Sequence, residues 1–191
     1  MSTALVTGAS SGIGAVFAHQ LAERGHDLVL VARSQGKLQS LAEQLQTEYG
    51  SSAIVIVQDL LAENATANIM EQLTQRAIQL DILVNNAGFG TYGELTQGDL
   101  QTYLNMIQLN VSVLVDLTYR CLQGMKARKS GSILNISSTA AFQPIPYFAV
   151  YAATKSFVLS FSEALWYECQ PDNVKVLGVC PGPTETEFFK T

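Results

Sequence analysis

The chain has 191 residues, of which 48% are hydrophobic and 14% are charged, and its formal net charge is -5. A chain of this length can bury the core of one ordinary domain, and this composition excludes an intrinsically disordered protein. The net negative charge and the lack of a lysine or arginine cluster argue against nucleic acid and anionic membrane surfaces as partners.

Cysteine and histidine are sparse, which bears on the compartment and on metal binding. Cys121, Cys169 and Cys180 are widely spaced and form no CxxC pair, so we interpret them as thiols in a reducing compartment. His19 and His26 have no nearby cysteine, and no metal site is predicted. There is no signal-peptide pattern, and no apolar run reaches the roughly 20 residues that span a bilayer. We therefore expect a soluble cytoplasmic protein.

Short runs rich in Val, Ile and Leu alternate with amphipathic stretches along the chain. Each run is apolar on both faces, which is typical of buried parallel strands. Between them, apolar residues recur at intervals of three and four, which predicts helices, for example over 14–25 and 37–50. The alternation predicts one α/β domain, a doubly wound parallel sheet with helices on both faces. Its six strands are predicted at 4–7, 27–32, 53–57, 81–85, 131–137 and 174–180.

The segment TGASSGIG at 7–14 follows the first predicted strand and opens a helix. In such sheets ligands bind at the carboxyl ends of the strands, where the strand order reverses. Gly8 suits a tight turn, Gly12 lets the backbone approach a pyrophosphate, and Gly14 lets the helix pack on the strand. A turn whose serine caps the helix is the alternative. The predicted cofactor residues here are Gly8, Ser10, Ser11, Gly12, Ile13 and Gly14.

The ends of the next strands carry further candidates. Ala32 occupies the position where a carboxylate would bind the ribose of NAD, and the following Arg33 favours the 2′-phosphate of NADP. Asp59 either accepts a hydrogen bond from the adenine amine or caps the following helix. The motif NNAG at 85–88 is either an ordinary turn or a backbone segment beside the cofactor. For the second interpretation the cofactor residues are Asn86, Ala87 and Gly88.

A predicted helix over 150–170 carries Tyr151 and Lys155 one turn apart, hence on the same face. An ammonium about 4 Å from the phenol, at an effective dielectric of about 20, favours phenolate by up to about 4 kcal/mol. This would bring the tyrosine pKa from about 10 toward 7, where acid-base catalysis is efficient. Ser138 ends the fifth strand and either binds a substrate carbonyl or satisfies its own turn.

The motifs TGASSGIG, NNAG, LNV, ISS, YAATK and PGPTET, in this order, resemble the short-chain dehydrogenases/reductases. The resemblance covers essentially the whole chain and implies a catalytic set of Asn110, Ser138, Tyr151 and Lys155. It implies hydride transfer between NADP(H) and a carbonyl or alcohol, with Ser138 positioning the carbonyl and Tyr151 supplying the proton. Lys155 would hold the nicotinamide ribose and lower the tyrosine pKa. The backbone of Asn110 would hold a water in the proton relay.

The segment PGPTET at 181–186 matches the part of the family that contacts the nicotinamide carboxamide, through Thr184 and Thr186. Pro181 restricts the turn, and Gly182 permits close approach of its backbone. Loop aromatics at the same sheet edge predict a hydrophobic substrate pocket. They are Phe89, Tyr92, Phe142, Tyr147, Phe148, Phe188 and Phe189.

The resemblance also raises an expectation about the carboxyl end. Family members usually continue through a helical flap, another helix and a seventh strand, so residues 1–191 would form a domain without these elements and with an uncovered sixth strand. A non-catalytic NADP-binding sensor or scaffold is therefore an alternative, and an epimerase or dehydratase is another. The resemblance further implies a homodimer through helices around 99–123 and 150–170.

Overall fold

The computed structural model describes residues 2–184 and contains one parallel sheet of six strands. The strand order is β3-β2-β1-β4-β5-β6, so the order reverses between β1 and β4. This confirms the predicted doubly wound α/β fold. The strands are β1 (Thr3–Thr7), β2 (Asp27–Ala32), β3 (Ala53–Val57), β4 (Ile82–Asn85), β5 (Gly131–Ile136) and β6 (Val174–Val179).

Helices connect the strands and cover the sheet. They are α1 (Gly12–Glu23), α2 (Gln35–Tyr49), α3 (Ala65–Gln75), α4 (Leu100–Ile107), α5 (Leu114–Ala127) and α6 (Ala149–Glu168). The predicted helices over 14–25, 37–50 and 150–170 correspond to α1, α2 and α6, and the helix expected after the third strand, for which no bounds were predicted, is α3. Within residues 2–184, each helix is too short or too polar to cross a bilayer, and no acidic, histidine and cysteine side chains cluster as metal ligands would.

Alternation along each strand divides the apolar side chains between two layers. In β1, Ala4 and Val6 belong to the layer beneath α1 and α2, while Leu5 belongs to the opposite layer, beneath α3, α5 and α6. Leu30 and Leu83 are fully buried on these two sides. Burying a side chain of this size contributes about 1.5–3 kcal/mol, so the two layers hold the sheet between its helices.

Strand β6 was predicted to be buried on both faces, but only one of its faces is buried. Val174 and Val176 are buried, but Lys175 is exposed and Leu177 is 57% exposed. The prediction was wrong for this strand because α6 packs against β6 and Val174 and Val176 join the core, whereas the side chains of Lys175 and Leu177 remain exposed. The strand lies at the edge of the sheet.

The helix predicted around 99–123 is interrupted. Asp99 caps α4, since its Oδ2 accepts a hydrogen bond from the Thr102 amide at 2.9 Å. A π-helical segment, Gln108–Val113, then joins α4 to α5. Such segments change the backbone hydrogen-bonding pattern of a helix and are frequent at functional sites. Asn110 lies within this segment and is 1% exposed.

Candidate active site

The glycine-rich turn between β1 and α1 forms a tight cradle. Gly8 has φ +65° and Gly12 has φ +55°, in the left-handed region that favours glycine. A Cβ at Gly14 would lie 2.3 Å from the Gly8 carbonyl oxygen, so the helix and the turn are packed backbone against backbone. Ser11 occupies the N-cap position of α1 but its side chain makes no capping hydrogen bond. The first amides of α1 thus remain available to an anion, and the cradle fits a pyrophosphate.

The turn is joined to the loop after β4 through a residue that the sequence analysis missed. The Thr7 hydroxyl accepts hydrogen bonds from the amides of Asn86 and Ala87, both at 3.0 Å. The Asn86 side-chain amide donates to the carbonyls of Thr7 at 2.9 Å and Gly8 at 3.3 Å. The loop therefore supports the glycine turn. A hydroxyl residue immediately before that turn was the available sequence signal.

Asn110 joins this loop to α6. Its side-chain Nδ2 donates to the Phe89 carbonyl at 2.9 Å and to the Thr154 hydroxyl at 3.1 Å, and its Oδ1 accepts from the Phe89 amide at 3.1 Å. Gly88 is required nearby, because a Cβ there would lie 2.8 Å from Asn110 Oδ1 and 3.6 Å from Lys155 Nζ. Thr154 was not among the predicted site residues, although it directly precedes Lys155.

The structure brings Ser138, Tyr151 and Lys155 together where β5 ends and α6 begins. The Ser138 hydroxyl accepts a hydrogen bond from the Ala140 amide at 3.1 Å and is also hydrogen-bonded to the Tyr151 phenol. Ser138 therefore satisfies its own turn and faces the tyrosine. Lys155 Nζ lies 5.8 Å from the centroid of the Tyr151 ring and donates to the Ile136 carbonyl at 2.8 Å. Both side chains of the pair lie on one face of α6, as predicted.

The electrostatics of the pair differ from the prediction. Burial raises the pKa of Tyr151 above its ordinary value, and the hydrogen bond from Ser138 opposes this rise. Burial lowers the pKa of Lys155 to about 8, and Cys180 opposes that change. The prediction that Lys155 lowers the tyrosine pKa was wrong for this arrangement, because burial raises the pKa of Tyr151, only Ser138 opposes this rise, and the Lys155 ammonium donates to a backbone carbonyl.

The buried Lys155 predicts a pH dependence of stability. Its folded-state pKa of about 8 lies below the ordinary 10.5, so the unfolded chain binds more protons between these values and stability rises with pH. Relative to a Lys155→Met variant, the unfolding free energy of the wild type should therefore rise by about 2 kcal/mol between pH 7 and pH 10.

Urea unfolding at several pH values measures the difference in unfolding free energy between the wild type and Lys155→Met. The other titrating groups contribute equally to both proteins, so their contributions cancel in this difference. Lys175→Met is the matched control at an exposed lysine, and its difference from the wild type should stay constant. A difference for Lys155→Met that is also constant across this range would contradict the assignment of a desolvated ammonium.

The two charged candidates after β2 and β3 are exposed. Arg33 directly follows Ala32, the last residue of β2. Asp59 Oδ1 accepts a hydrogen bond from the Leu61 amide at 3.0 Å, whereas α3 begins only at Ala65. Asp59 thus closes a local turn, and the alternative that it caps the following helix was wrong.

The segment after β6 reaches the same sheet edge. The Pro181 carbonyl accepts a hydrogen bond from the Thr139 amide at 3.0 Å, which attaches this segment to the turn after Ser138. The Thr184 hydroxyl donates to the Gly182 carbonyl at 3.0 Å, and a Cβ at Gly182 would meet no atom within 4 Å. Thr186, like Phe188 and Phe189, lies outside the described residues.

Aromatic rings extend from the tyrosine to the surface. The centroid distances are 5.5 Å between Tyr151 and Phe148, 5.2 Å between Phe148 and Tyr92, and 5.6 Å between Tyr92 and Tyr147. Tyr92 is 68% exposed and Phe142 is 67% exposed. Tyr147, Tyr92 and Phe148 thus form an apolar wall that reaches the Tyr151 ring.

Curated relatives carry the names of dehydrogenases and reductases. The 17-beta-hydroxysteroid dehydrogenase type 3 of Mus musculus is 35% identical over 192 residues, covering 98% of this chain and 61% of that protein. The very-long-chain 3-oxoacyl-CoA reductase-A of Danio rerio is 35% identical over 191 residues, covering 98% of this chain and 59% of that protein. The chain thus spans about six tenths of the length of these relatives.

Solved structures agree with the fold and the family. A short-chain dehydrogenase from Sphingobium yanoikuyae in complex with NADPH has a TM-score of 0.93 and 38% identity, covering 98% of this chain and 73% of that one. The bulky-bulky ketone specific alcohol dehydrogenase from Comamonas testosteroni has a TM-score of 0.91 and 37% identity, covering 97% and 74%. The sequence pattern of the short chain dehydrogenase family matches residues 2–191, and the chain belongs to that family.

Proposed function

We propose that the chain transfers hydride between NADP(H) and a carbonyl or alcohol substrate, with Tyr151 as the general acid and base. One observation carries this proposal: Ser138, Tyr151 and Lys155 lie together at one edge of the sheet. Ser138 is hydrogen-bonded to Tyr151, and Lys155 is buried. The glycine cradle lies at the same edge, joined through the loop of Asn86 and Gly88. The names of the relatives support an oxidoreductase.

Residues of this chain suit the successive parts of a dinucleotide. The turn with Gly8, Gly12 and Gly14 would hold the pyrophosphate, and Arg33 would face the adenosine 2′-phosphate. Lys155 would donate hydrogen bonds to the nicotinamide ribose. The remaining proposed contacts are Ser10, Ser11, Ile13, Asp59, Asn86, Ala87, Gly88, Pro181, Gly182, Thr184 and Thr186. The NADPH-bound neighbour from Sphingobium yanoikuyae supports the choice of cofactor.

In the proposed reduction, Ser138 donates a hydrogen bond to the substrate carbonyl oxygen and orients it toward Tyr151. NADPH held by the glycine cradle and Lys155 would supply the hydride for the carbonyl carbon. Tyr151 transfers its proton to the carbonyl oxygen, which completes the alcohol and leaves a phenolate. The raised pKa of Tyr151 keeps the phenol protonated at neutral pH, which favours its role as proton donor in the direction of reduction.

The substrate we propose is a hydrophobic carbonyl compound. The wall of Tyr92, Tyr147 and Phe148 next to the Tyr151 ring, together with the exposed Phe142, would bury apolar substrate surface. The neighbour from Comamonas testosteroni is named as specific for bulky-bulky ketones, which supports the same substrate class here.

The test is an assay of the purified chain with NADPH and a panel of aldehydes and ketones that ranges from small to bulky aromatic. We expect NADPH absorbance to fall in equimolar ratio with alcohol formed, fastest for aromatic ketones. Binding of NADPH with no turnover across the panel would contradict the enzyme and favour the sensor or scaffold. Product formed without net loss of NADPH would favour an epimerase or dehydratase.

We further propose a homodimer through α4, α5 and α6. Monomeric proteins seldom expose large apolar patches, and these helices carry several exposed apolar side chains. They are Leu104, Ile107, Tyr119, Phe157 and Trp166, each between 42% and 65% exposed. Sedimentation equilibrium measures the assembly, and a monomer at every concentration tested would contradict it.

A further inference from the structure

Thr154 is a buried polar residue of α6 to which the proposed mechanism gives no role. It is 4% exposed and directly precedes Lys155 in the sequence. Its hydroxyl donates a hydrogen bond to the Tyr151 carbonyl at 2.7 Å and accepts one from Asn110 Nδ2 at 3.1 Å. One oxygen atom therefore connects the turn of α6 that carries the proposed proton donor to the π-helical segment.

On its other side, Asn110 is held by the loop after β4. Its Oδ1 accepts a hydrogen bond from the Phe89 amide at 3.1 Å, and its Nδ2 donates to the Phe89 carbonyl at 2.9 Å. Nδ2 carries two hydrogens, so one is used on the loop and the other on Thr154. The hydrogen bonds thus form a continuous chain from the loop, through Asn110 and Thr154, to the main chain of Tyr151.

These contacts require a hydroxyl at position 154. The group there accepts from a side-chain amide and donates to a carbonyl at the same time, which a hydroxyl can do. Within a helix, threonine hydroxyls readily bond to a carbonyl three or four residues earlier, and the bond to Tyr151 is of this kind. An apolar side chain would leave one hydrogen of Asn110 Nδ2 without a partner on α6, at a residue that is 1% exposed.

We propose that Thr154 is a positioning residue for proton transfer, which holds the Tyr151 backbone and Asn110 in fixed relation to each other. This inference rests on the proposed hydride-transfer function and extends it to a residue that does not touch the reacting atoms. In that function the Tyr151 phenol, hydrogen-bonded to Ser138, gives its proton to the substrate. Because a misplacement of about 1 Å can cost about 100-fold in rate, loosening the backbone that carries Tyr151 should slow this step.

The test measures carbonyl reduction by variants with and without the hydroxyl. Thr154→Val keeps the shape of threonine, and we expect its kcat to fall by roughly tenfold to a hundredfold. Thr154→Ala also lacks the hydroxyl and should show the same loss, whereas Thr154→Ser keeps it and should retain most of the wild-type kcat. The Kd for NADPH, measured by calorimetry, should change by less than about twofold in all three variants, because Thr154 is not a proposed cofactor contact.

Thr118→Val is the matched control for a purely structural effect. Thr118 on α5 is 1% exposed, and its hydroxyl accepts a hydrogen bond from Asn85 Nδ2 at 2.9 Å. The substitution therefore removes the same kind of bond, and Asn85 Nδ2 keeps a second partner in Asn135 Oδ1 at 2.9 Å. We expect the urea midpoint to fall by a similar amount in Thr118→Val and Thr154→Val, with kcat lowered only in the second.

A double-variant cycle tests whether Thr154 acts together with Asn110. Thr154→Val should then add almost nothing to the kcat loss of Asn110→Ala, whereas independent residues would give additive losses. Four results overturn the inference and leave the proposed function standing: wild-type kcat in Thr154→Val, a kcat loss equal to that of Thr118→Val, a Thr154→Ser enzyme as slow as the valine variant, or fully additive losses. A wild type that binds NADPH and reduces no carbonyl compound overturns both.

Discussion

Tyr151→Phe is expected to lower kcat for carbonyl reduction by about a thousandfold, while the Kd for NADPH changes by less than about twofold. The substitution removes the proton that the mechanism transfers but keeps the ring, which packs edge to face on Phe148 at 5.5 Å. It also leaves Ser138 bonded to the Ala140 amide, so the turn after β5 should persist. Steady-state rates and calorimetry on the same preparations measure both effects.

Tyr167→Phe is the matched control for this prediction. It makes the same chemical change on the same helix, at a side chain that is 72% exposed. Its kcat and its NADPH affinity should equal those of the wild type. A Tyr151→Phe enzyme that retains wild-type turnover would show that the proton comes from another group. A parallel loss of NADPH binding would indicate that the phenol acts in cofactor binding rather than in proton transfer.

Gly14→Ala is expected to lower the free energy of unfolding by about 3 kcal/mol and to weaken NADPH and NADH together. The added Cβ would lie 2.3 Å from the Gly8 carbonyl oxygen and 2.9 Å from the Gly8 carbonyl carbon. Both are backbone atoms, so relief requires that α1 move away from the turn. The loss should be the same for the two dinucleotides, because the pyrophosphate cradle does not contact the 2′-phosphate.

Gly124→Ala serves as the control, since it places the same methyl group on the exposed side of α5. Its Cβ would meet the Arg128 guanidinium at 3.2 Å, the end of a flexible side chain. Alanine is favoured over glycine within a helix by about 1 kcal/mol, so this variant should be as stable as the wild type or slightly more so. Urea unfolding and dinucleotide titrations measure both variants. A Gly14→Ala protein with wild-type stability and affinity would contradict the backbone packing of the turn.

The sequence by itself determined the elements whose signals are local. The six apolar runs predicted the strands to within one or two residues, because a buried parallel strand needs a short run that is apolar on both faces. The glycine turn after β1 and the shared helical face of Tyr151 and Lys155 follow equally from neighbours in the chain. The edge strand β6 is the exception, since exposure there depends on what packs on the sheet.

The tertiary structure alone decided how distant residues meet. Thr7 contacts Asn86 and Ala87 from 79 and 80 residues away, and Asn110 contacts Thr154 from 44 residues away, so no local pattern could predict these contacts. The direction of the Tyr151 pKa likewise depends on burial and on Ser138, both of which arise only on folding. Periodicity and spacing reveal which elements form, whereas desolvation and long-range contacts determine what their side chains can do.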